Sequence, residues 1–241
     1  MRNRASRNAH VAAWTGIAAL TLSILNAPSA RAVDGVIEIN QARAAAGSIT
    51  PADSAGFPIT IGSSGSFRLT GDITVPAGSD GLYVTAANVT IDLNGFTIYG
   101  GGGSISDGIS LPSAQNVEIR NGTIRGFSRN GIFSNTATEQ IRVIGVRAIG
   151  NTGYGIDLGS ASTIDGCLAL NNGSNGMRVG VGSLIINSVS RGHQFNGLIL
   201  GAGSGYRSNV VTGNNGSDAA AQVSGGLQLG TNVCGSDTVC P

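Results

Sequence analysis

Few residues of this 241-residue chain could carry chemistry, and they are spread along its length. Asp157 and Asp165 lie close in sequence, and two carboxyl groups about 5–10 Å apart can divide acid and base work on a glycosidic bond. Alternation within their repeat puts them on different strand faces, so convergence is not expected. Asp80 and Asp107 each stand just before a recurring glycine-aliphatic pair. They are the candidate calcium ligands, although two carboxylates are fewer than a calcium site usually gathers. Asn130 and Asn175 continue their column, which favours a corner role. His193 aligns with Asn172 one repeat earlier and reads as part of a turn ladder. Tyr83, Phe133, Asp157 and Arg178 share one outward column, where aromatic rings and opposite charges offer contacts to a ligand such as a sugar. Asp157 and Arg178 are adjacent in it, and they are expected to form a solvent-exposed pair of small energetic weight.

The elements that must position these residues follow from a repeat. Gly81-Leu82, Gly108-Ile109, Gly131-Ile132, Gly155-Ile156, Gly176-Met177, Gly197-Leu198 and Gly226-Leu227 recur at spacings of 27, 23, 24, 21, 21 and 29 residues. A period of this size marks stacked units, none able to bury its apolar face alone. Alternation after each glycine gives an inner column Leu82, Ile109, Ile132, Ile156, Met177, Leu198, Leu227. The outer column is Tyr83, Ser110, Phe133, Asp157, Arg178, Ile199, Gln228. A second strand pair follows, as in Val89 to Ile98 and Val117 to Ile124. Asn121, Gly145, Gly166, Asn187 and Asn209 recur between these strands and suit left-handed corners. Ile39 to Ala46, ended by Gly47, is the candidate capping helix. The expected fold is an all-β parallel β-helix of about seven coils, with an N-terminal cap at 33–80, coils at 81–230 and a closing tail at 231–241.

Residues 1–32 read as an export signal. Arg2, Arg4 and Arg7 precede the apolar run from Val11 to Leu25, and Ala30-Arg31-Ala32 fits a cleavage site. Removing four of 14 basic residues leaves 10 against 13 acidic ones, a net charge of −3. All basic residues are arginine. Such a surface argues against a nucleic-acid partner, and a single remaining histidine excludes a multi-histidine metal centre. Export to an oxidising compartment favours a Cys234–Cys240 disulfide, with Cys167 free among apolar residues. The expected location is secreted, periplasmic or cell envelope, as a monomer that does not span a membrane.

Phe57-Pro-Ile-Thr-Ile, Gly65-Ser-Phe-Arg-Leu-Thr-Gly, the Val89–Ile98 run and Asn232-Val-Cys-Gly, together with the repeat, resemble the right-handed parallel β-helix superfamily of pectate lyases and polygalacturonases. They are closer still to exported bacterial β-helix proteins of unassigned function. The resemblance covers 35–241 and is specific for fold rather than chemistry. Of the polygalacturonase motifs only Gly192-His193-Gln194 has a counterpart, and the acid cluster of pectate lyases is incomplete. The resemblance therefore implies a non-enzymatic exported protein that binds extended polysaccharide along its flat strand face, with no required cofactor. The alternatives are a polysaccharide lyase or glycoside hydrolase, and a purely structural or adhesin module.

Overall fold

The structure is a computed structural model that describes residues 35–238 and 240. The expected export signal at 1–32 lies outside the described residues. Runs of alternating apolar residues form short parallel strands stacked in three faces. The first face has eight strands: Ile59–Ile61, Leu82–Val84, Ile109–Leu111, Ile132–Ser134, Ile156–Leu158, Met177–Val179, Leu198–Leu200 and Val223–Ser224. The second begins with Val36–Ile39 and Gly65–Leu69 and ends with Leu227–Gln228. The third runs from Ile73–Thr74 to Val233–Cys234. Val117–Arg125 and Ile141–Ile149 pass through the corner between the second and third faces, making these one bent sheet.

One aliphatic side chain per coil fills the interior. Ile59, Leu82, Ile109, Ile132, Ile156, Met177 and Leu198 are in register and fully buried. Phe67, Ile91, Ile119, Val143, Ile164 and Ile185 stack likewise inside the second face. Each such side chain contributes about 1.5–3 kcal/mol through burial.

Corners lack strand pairing, so side chains bond the backbone amides of adjacent coils. Phe127 N–H donates to Asn151 Oδ1 at 3.1 Å, Asn151 N–H to Asn172 Oδ1 at 3.0 Å, and Asn172 N–H to His193 Nδ1 at 3.1 Å. His193 N–H then donates to Asn214 Oδ1 at 3.1 Å, and Asn214 N–H to Gln222 Oε1 at 3.0 Å. Serines do the same where Ile141, Ser162 and Ser183 N–H groups donate to Ser162, Ser183 and Ser204 Oγ. The asparagines also donate onward, Asn172 Nδ2 to Ala148 O and Asn214 Nδ2 to Ser190 O, both at 3.0 Å. His193 Nε2 is buried without a partner.

The ends are closed differently. Asn40 caps the helix Gln41–Ala46 by accepting Arg43 N–H, and Gly47 ends it at φ 73°. Below the first face, Asp53 Oδ1 accepts Thr60 N–H at 2.7 Å and Thr50 Oγ1 donates to Thr60 O at 2.7 Å. These bonds occupy a strand edge that would otherwise invite pairing with another chain. At the other end a Cys234–Cys240 disulfide ties the tail. Cys167 is free and buried, and burial pushes its thiol up to about 12.

Three sequence expectations are corrected. The solenoid has about eight turns rather than seven, because Ile59–Ile61 is a full first-face strand below Leu82–Val84. Its coils therefore begin before residue 81. The last first-face strand carries Val223 and Ser224, not Leu227 and Gln228, which pair with Gly205 and Tyr206 on the second face. Gly225 and Gly226, at φ 75° and 74°, turn the chain between the two faces and mimic the repeat glycine in sequence. The fifth corner residue is Ser208 at φ 58°, not Asn209. Asn209 is 1% exposed and turns inward, with Nδ2 donating to Ile185 O at 2.9 Å and Oδ1 accepting Ser188 N–H at 3.0 Å.

The ladder makes His193 the acid-sensitive rung. Burial lowers its pKa from 6.5 to about 4. Protonation therefore favours the unfolded chain: the stability linked to His193 is intact above about pH 6.5 and is lost as pH falls toward 4. That loss is on the order of 3 kcal/mol. In His193→Asn, an amide can accept Asn172 N–H and donate to Ala169 O, the carbonyl equivalent to those its neighbours use. This variant should hold neutral-pH stability and lose that acid slope. Urea midpoints for both proteins at neutral pH and near pH 4 check this, and identical slopes would contradict it.

Candidate functional site

By register the outward column of the first face is Thr60, Tyr83, Ser110, Phe133, Asp157, Arg178, Ile199 and Ser224. Charges and rings converge at its middle. Arg178 Nε and Nη2 donate to Asp157 Oδ1 and Oδ2 at 2.5 and 2.7 Å, a two-pronged pair with directional strength. The Arg178 guanidinium lies 4.8 Å from the centre of the Tyr154 ring. Arg129 lies 4.5 Å from the centre of the Phe133 ring, and its Nη1 is 3.5 Å from Asp107 Oδ2. Cations over aromatic faces gain about 0.5–2 kcal/mol and lose freedom to wander.

The Asp157–Arg178 pair is not the solvated pair expected from alternation. Asp157 is 2% exposed, while the Arg178 side chain is 35% exposed. First-face strands are two or three residues long, and the segments leading into them bring Arg129 against Phe133 and Tyr154 against Arg178. Burial raises the Asp157 pKa, against the lowering effect of Arg178. Burial likewise raises that of Asp107, against the Asn130 N–H and Arg129.

The residue before each repeat glycine forms another ladder. Asp80 Oδ1 accepts Asp107 N–H at 2.7 Å, Asp107 Oδ1 accepts Asn130 N–H at 2.9 Å, and Asn130 Oδ1 accepts Tyr154 N–H at 2.8 Å. It resumes where Asn175 Oδ1 accepts Asn196 N–H at 2.8 Å. Tyr154 holds the rung between and has no carboxylate or carboxamide to pass the bond on. Its ring supports Arg178 instead. A local rule broken in favour of another contact is characteristic of functional positions.

Beside Arg178 lies an open groove of about 320 Å³, lined by Ser134, Thr136, Ser160, Val181 and Ile199 among others. Gly159, Gly180 and Gly201 line it one per coil, where an added Cβ would lie within 2.6 Å of a neighbouring coil's backbone. The bare backbone lets the coils stack closely at this edge of the groove.

The structure gathers Phe133, Asp157 and Arg178 from the sequence-predicted contacts. Tyr83 is separated from them by Ser110, itself 6% exposed. Asp165 lies on the second face and accepts from Asn187 Nδ2 at 2.9 Å, so it does not pair with Asp157. Asp80 and Asp107 each commit an oxygen to the next coil's amide, and no three His, Cys, Asp or Glu side chains gather among the described residues. Sequence reasoning missed Arg129 and Tyr154. The available signal was Tyr154 itself, the one ring in a column of Asp and Asn.

Removing either member of the pair should now matter. Arg178→Ala leaves a buried carboxylate unpaired and should cost about 2–4 kcal/mol at neutral pH. Because the Asp157 pKa is already raised, acidification neutralises the stranded carboxylate and the deficit should shrink. Asp157→Ala leaves a part-exposed guanidinium that can hydrate, a loss of about 1–3 kcal/mol. Thermal unfolding of both variants across pH 7 to about 4 tests this, and wild-type melting in both would mean that the pair is solvated.

A family model described as the right handed beta helix region matches residues 58–218. Among solved structures the chain is similar to pectate lyase Pel9A, at 16% identity and TM-score 0.54, over 74% of this chain and 53% of that one. It is also similar to the A-module of mannuronan C-5 epimerase AlgE4 from Azotobacter vinelandii, at 14% identity and TM-score 0.57, covering 74% and 66%. The AlgE6 A-module from the same organism gives 18% identity and TM-score 0.50, covering 78% and 60%. The chain thus spans roughly half to two thirds of the length of these structures. A comparison with curated protein sequences gives no significant match. The structural likeness, at such low identity, concerns the fold alone. The family match, which runs across the three stacked faces, makes this chain a member of the right handed beta helix family.

Proposed function

We propose that this is an exported β-helix protein that binds an extended anionic polysaccharide along its first face. The observation that carries the reading is the interrupted ladder: Tyr154 replaces an amide rung and supports Arg178, one coil from the Arg129–Phe133 stack. Two guanidinium groups held over rings in this way present directed positive charge to carboxylates of a polymer. Planar, pre-organised guanidinium suits that role better than a flexible ammonium. Asp157 acts beneath them as a positioning residue, since it is 2% exposed and faces Arg178 with both oxygens. The open groove of about 320 Å³ beside Arg178 leaves room for a chain to lie alongside. The similar solved structures are named as a pectate lyase and mannuronan epimerases, proteins of polysaccharide chemistry.

A second reading, a glycan-cleaving centre, is favoured by the raised pKa values of Asp107 and Asp157, since a general acid needs such a shift. Both carboxylates are already engaged by arginine, which supports binding over cleavage. Secretion or residence in the cell envelope belongs to the same proposal, and the disulfide is compatible with it.

The test is calorimetric titration with polygalacturonate, alginate and a neutral glucan, with and without calcium. Affinity for the anionic polymers, falling at least tenfold (about 1.4 kcal/mol) in Arg129→Ala/Arg178→Ala, is the expected result. Binding that ignores both arginines would refute the site. New chain ends appearing in the incubated polymer, and absent with Asp157→Asn, would install the second reading.

A further inference from the structure

A second polar groove, of about 360 Å³, lies at the turn from the first face to the second, among Asn88, Thr90, Asn116, Glu118, Gln140 and Arg142. Register places Asn88, Asn116 and Gln140 one per coil, each just before Val89, Val117 and Ile141 of paired strands. The same column continues upward as Ala161, Gly182 and Gly203. All six residues have left-handed backbone, with φ of 58°, 52° and 62° for the amides and 50°, 65° and 66° for the rest. Glycine takes that conformation without strain, asparagine tolerates it, and glutamine and alanine are both disfavoured there. The three lower coils therefore keep amide side chains where the fold asks only for the turn.

Folding makes little use of those amides. Asn116 Nδ2 donates to Asn88 Oδ1 at 2.7 Å, while all three side chains are exposed. This distinguishes them from the buried ladder asparagines, whose amides bond neighbouring backbone. The neighbouring outward column holds Thr90, Glu118 and Arg142 in the same coils, then turns to Thr163, Leu184 and Gly205. Glu118 lies between Arg120 at 3.0 Å and Arg142 at 3.5 Å, and Arg120 also pairs with Asp92 at 3.3 Å, so these four charges balance. The groove thus offers closely spaced donors and acceptors with no net charge and no ring to stack on. Val89 and Val117 are buried beneath it.

We infer that the Asn88–Asn116–Gln140 column is a binding site for a neutral, polyhydroxylated ligand such as the hydroxyl edge of a sugar, separate from the arginine site on the first face. Hydroxyl groups donate and accept at once, as amides do, so a ladder of amides at the strand spacing of about 4.8 Å can meet hydroxyls of successive sugar units. Among the described residues no guanidinium here is held over a ring, unlike on the first face, so the groove has no pre-organised cation for an anion. Binding without a stacking ring and on an open surface is weak.

The test uses a neutral β-1,4-glucan hexasaccharide and the side-chain amide resonances of asparagine and glutamine. It is run on the wild-type protein, where the resonances themselves locate the ligand, so that failure of the first-face proposal leaves it intact. The expected result is a saturable shift of the Asn88, Asn116 and Gln140 amide signals, lost in Asn88→Gly/Asn116→Gly/Gln140→Gly. Polygalacturonate should not reproduce it. Gln140→Gly alone should melt no lower than its parent, because glycine accepts the turn without strain. Absence of a shift, survival of the shift in the triple variant, or a lowered melting temperature for Gln140→Gly would each overturn the inference.

Discussion

The controlling constraint in this molecule is the satisfaction of backbone amides where coils turn. Strand pairing between coils takes care of the three faces, but at each corner the chain leaves the ladder while staying within a coil's thickness of its neighbours. A buried amide without a partner costs about 1–3 kcal/mol. The chain meets this with asparagine, serine, aspartate and one histidine placed so that each accepts the N–H of an adjacent coil. These bonds fix register as well as stability. A slip by one residue would separate every acceptor from its donor and turn the aliphatic columns outward.

The proposed binding site rests on a departure from that regularity. The column before the repeat glycines bonds coil to coil at Asp80, Asp107 and Asn130, stops at Tyr154, and resumes at Asn175. A ring at that rung cannot extend the ladder, but it holds a guanidinium at the surface. Asp157 then carries a compensating charge below it, 2% exposed and bonded to Arg178 through both oxygens. The site is therefore built on rigid elements, with the flexible arginine restrained by a ring on one side and a carboxylate on the other.

Much of the fold was legible because the inner columns are written in plain aliphatic alternation. Ile109, Ile132, Ile156, Met177 and Leu198 were placed in one column and are in one. The errors came where turn chemistry imitates the repeat: Gly226-Leu227 has the right residues but follows a corner at Gly225, so Leu227 ends up on the second face and 63% exposed. Asn209 and Ser208 were exchanged because asparagine suits both a left-handed corner and an inward ladder, and spacing cannot separate the two uses. At the site, adjacency of Asp157 and Arg178 was readable from the repeat, but burial was not. Nor were the partners Arg129 and Tyr154, which reach Phe133 and Arg178 from loops whose path alternation does not describe.

The central claim is that Tyr154 interrupts a stabilising ladder in order to hold Arg178 for a ligand. Tyr154→Asn tests it most directly, with thermal stability and affinity for polygalacturonate measured on the same protein. The account predicts that asparagine restores the rung, so that the variant melts at or above the wild type while its affinity for the anionic polymer falls. A variant that melts lower and binds as well as the wild type would contradict it, because Tyr154 would then be serving the fold.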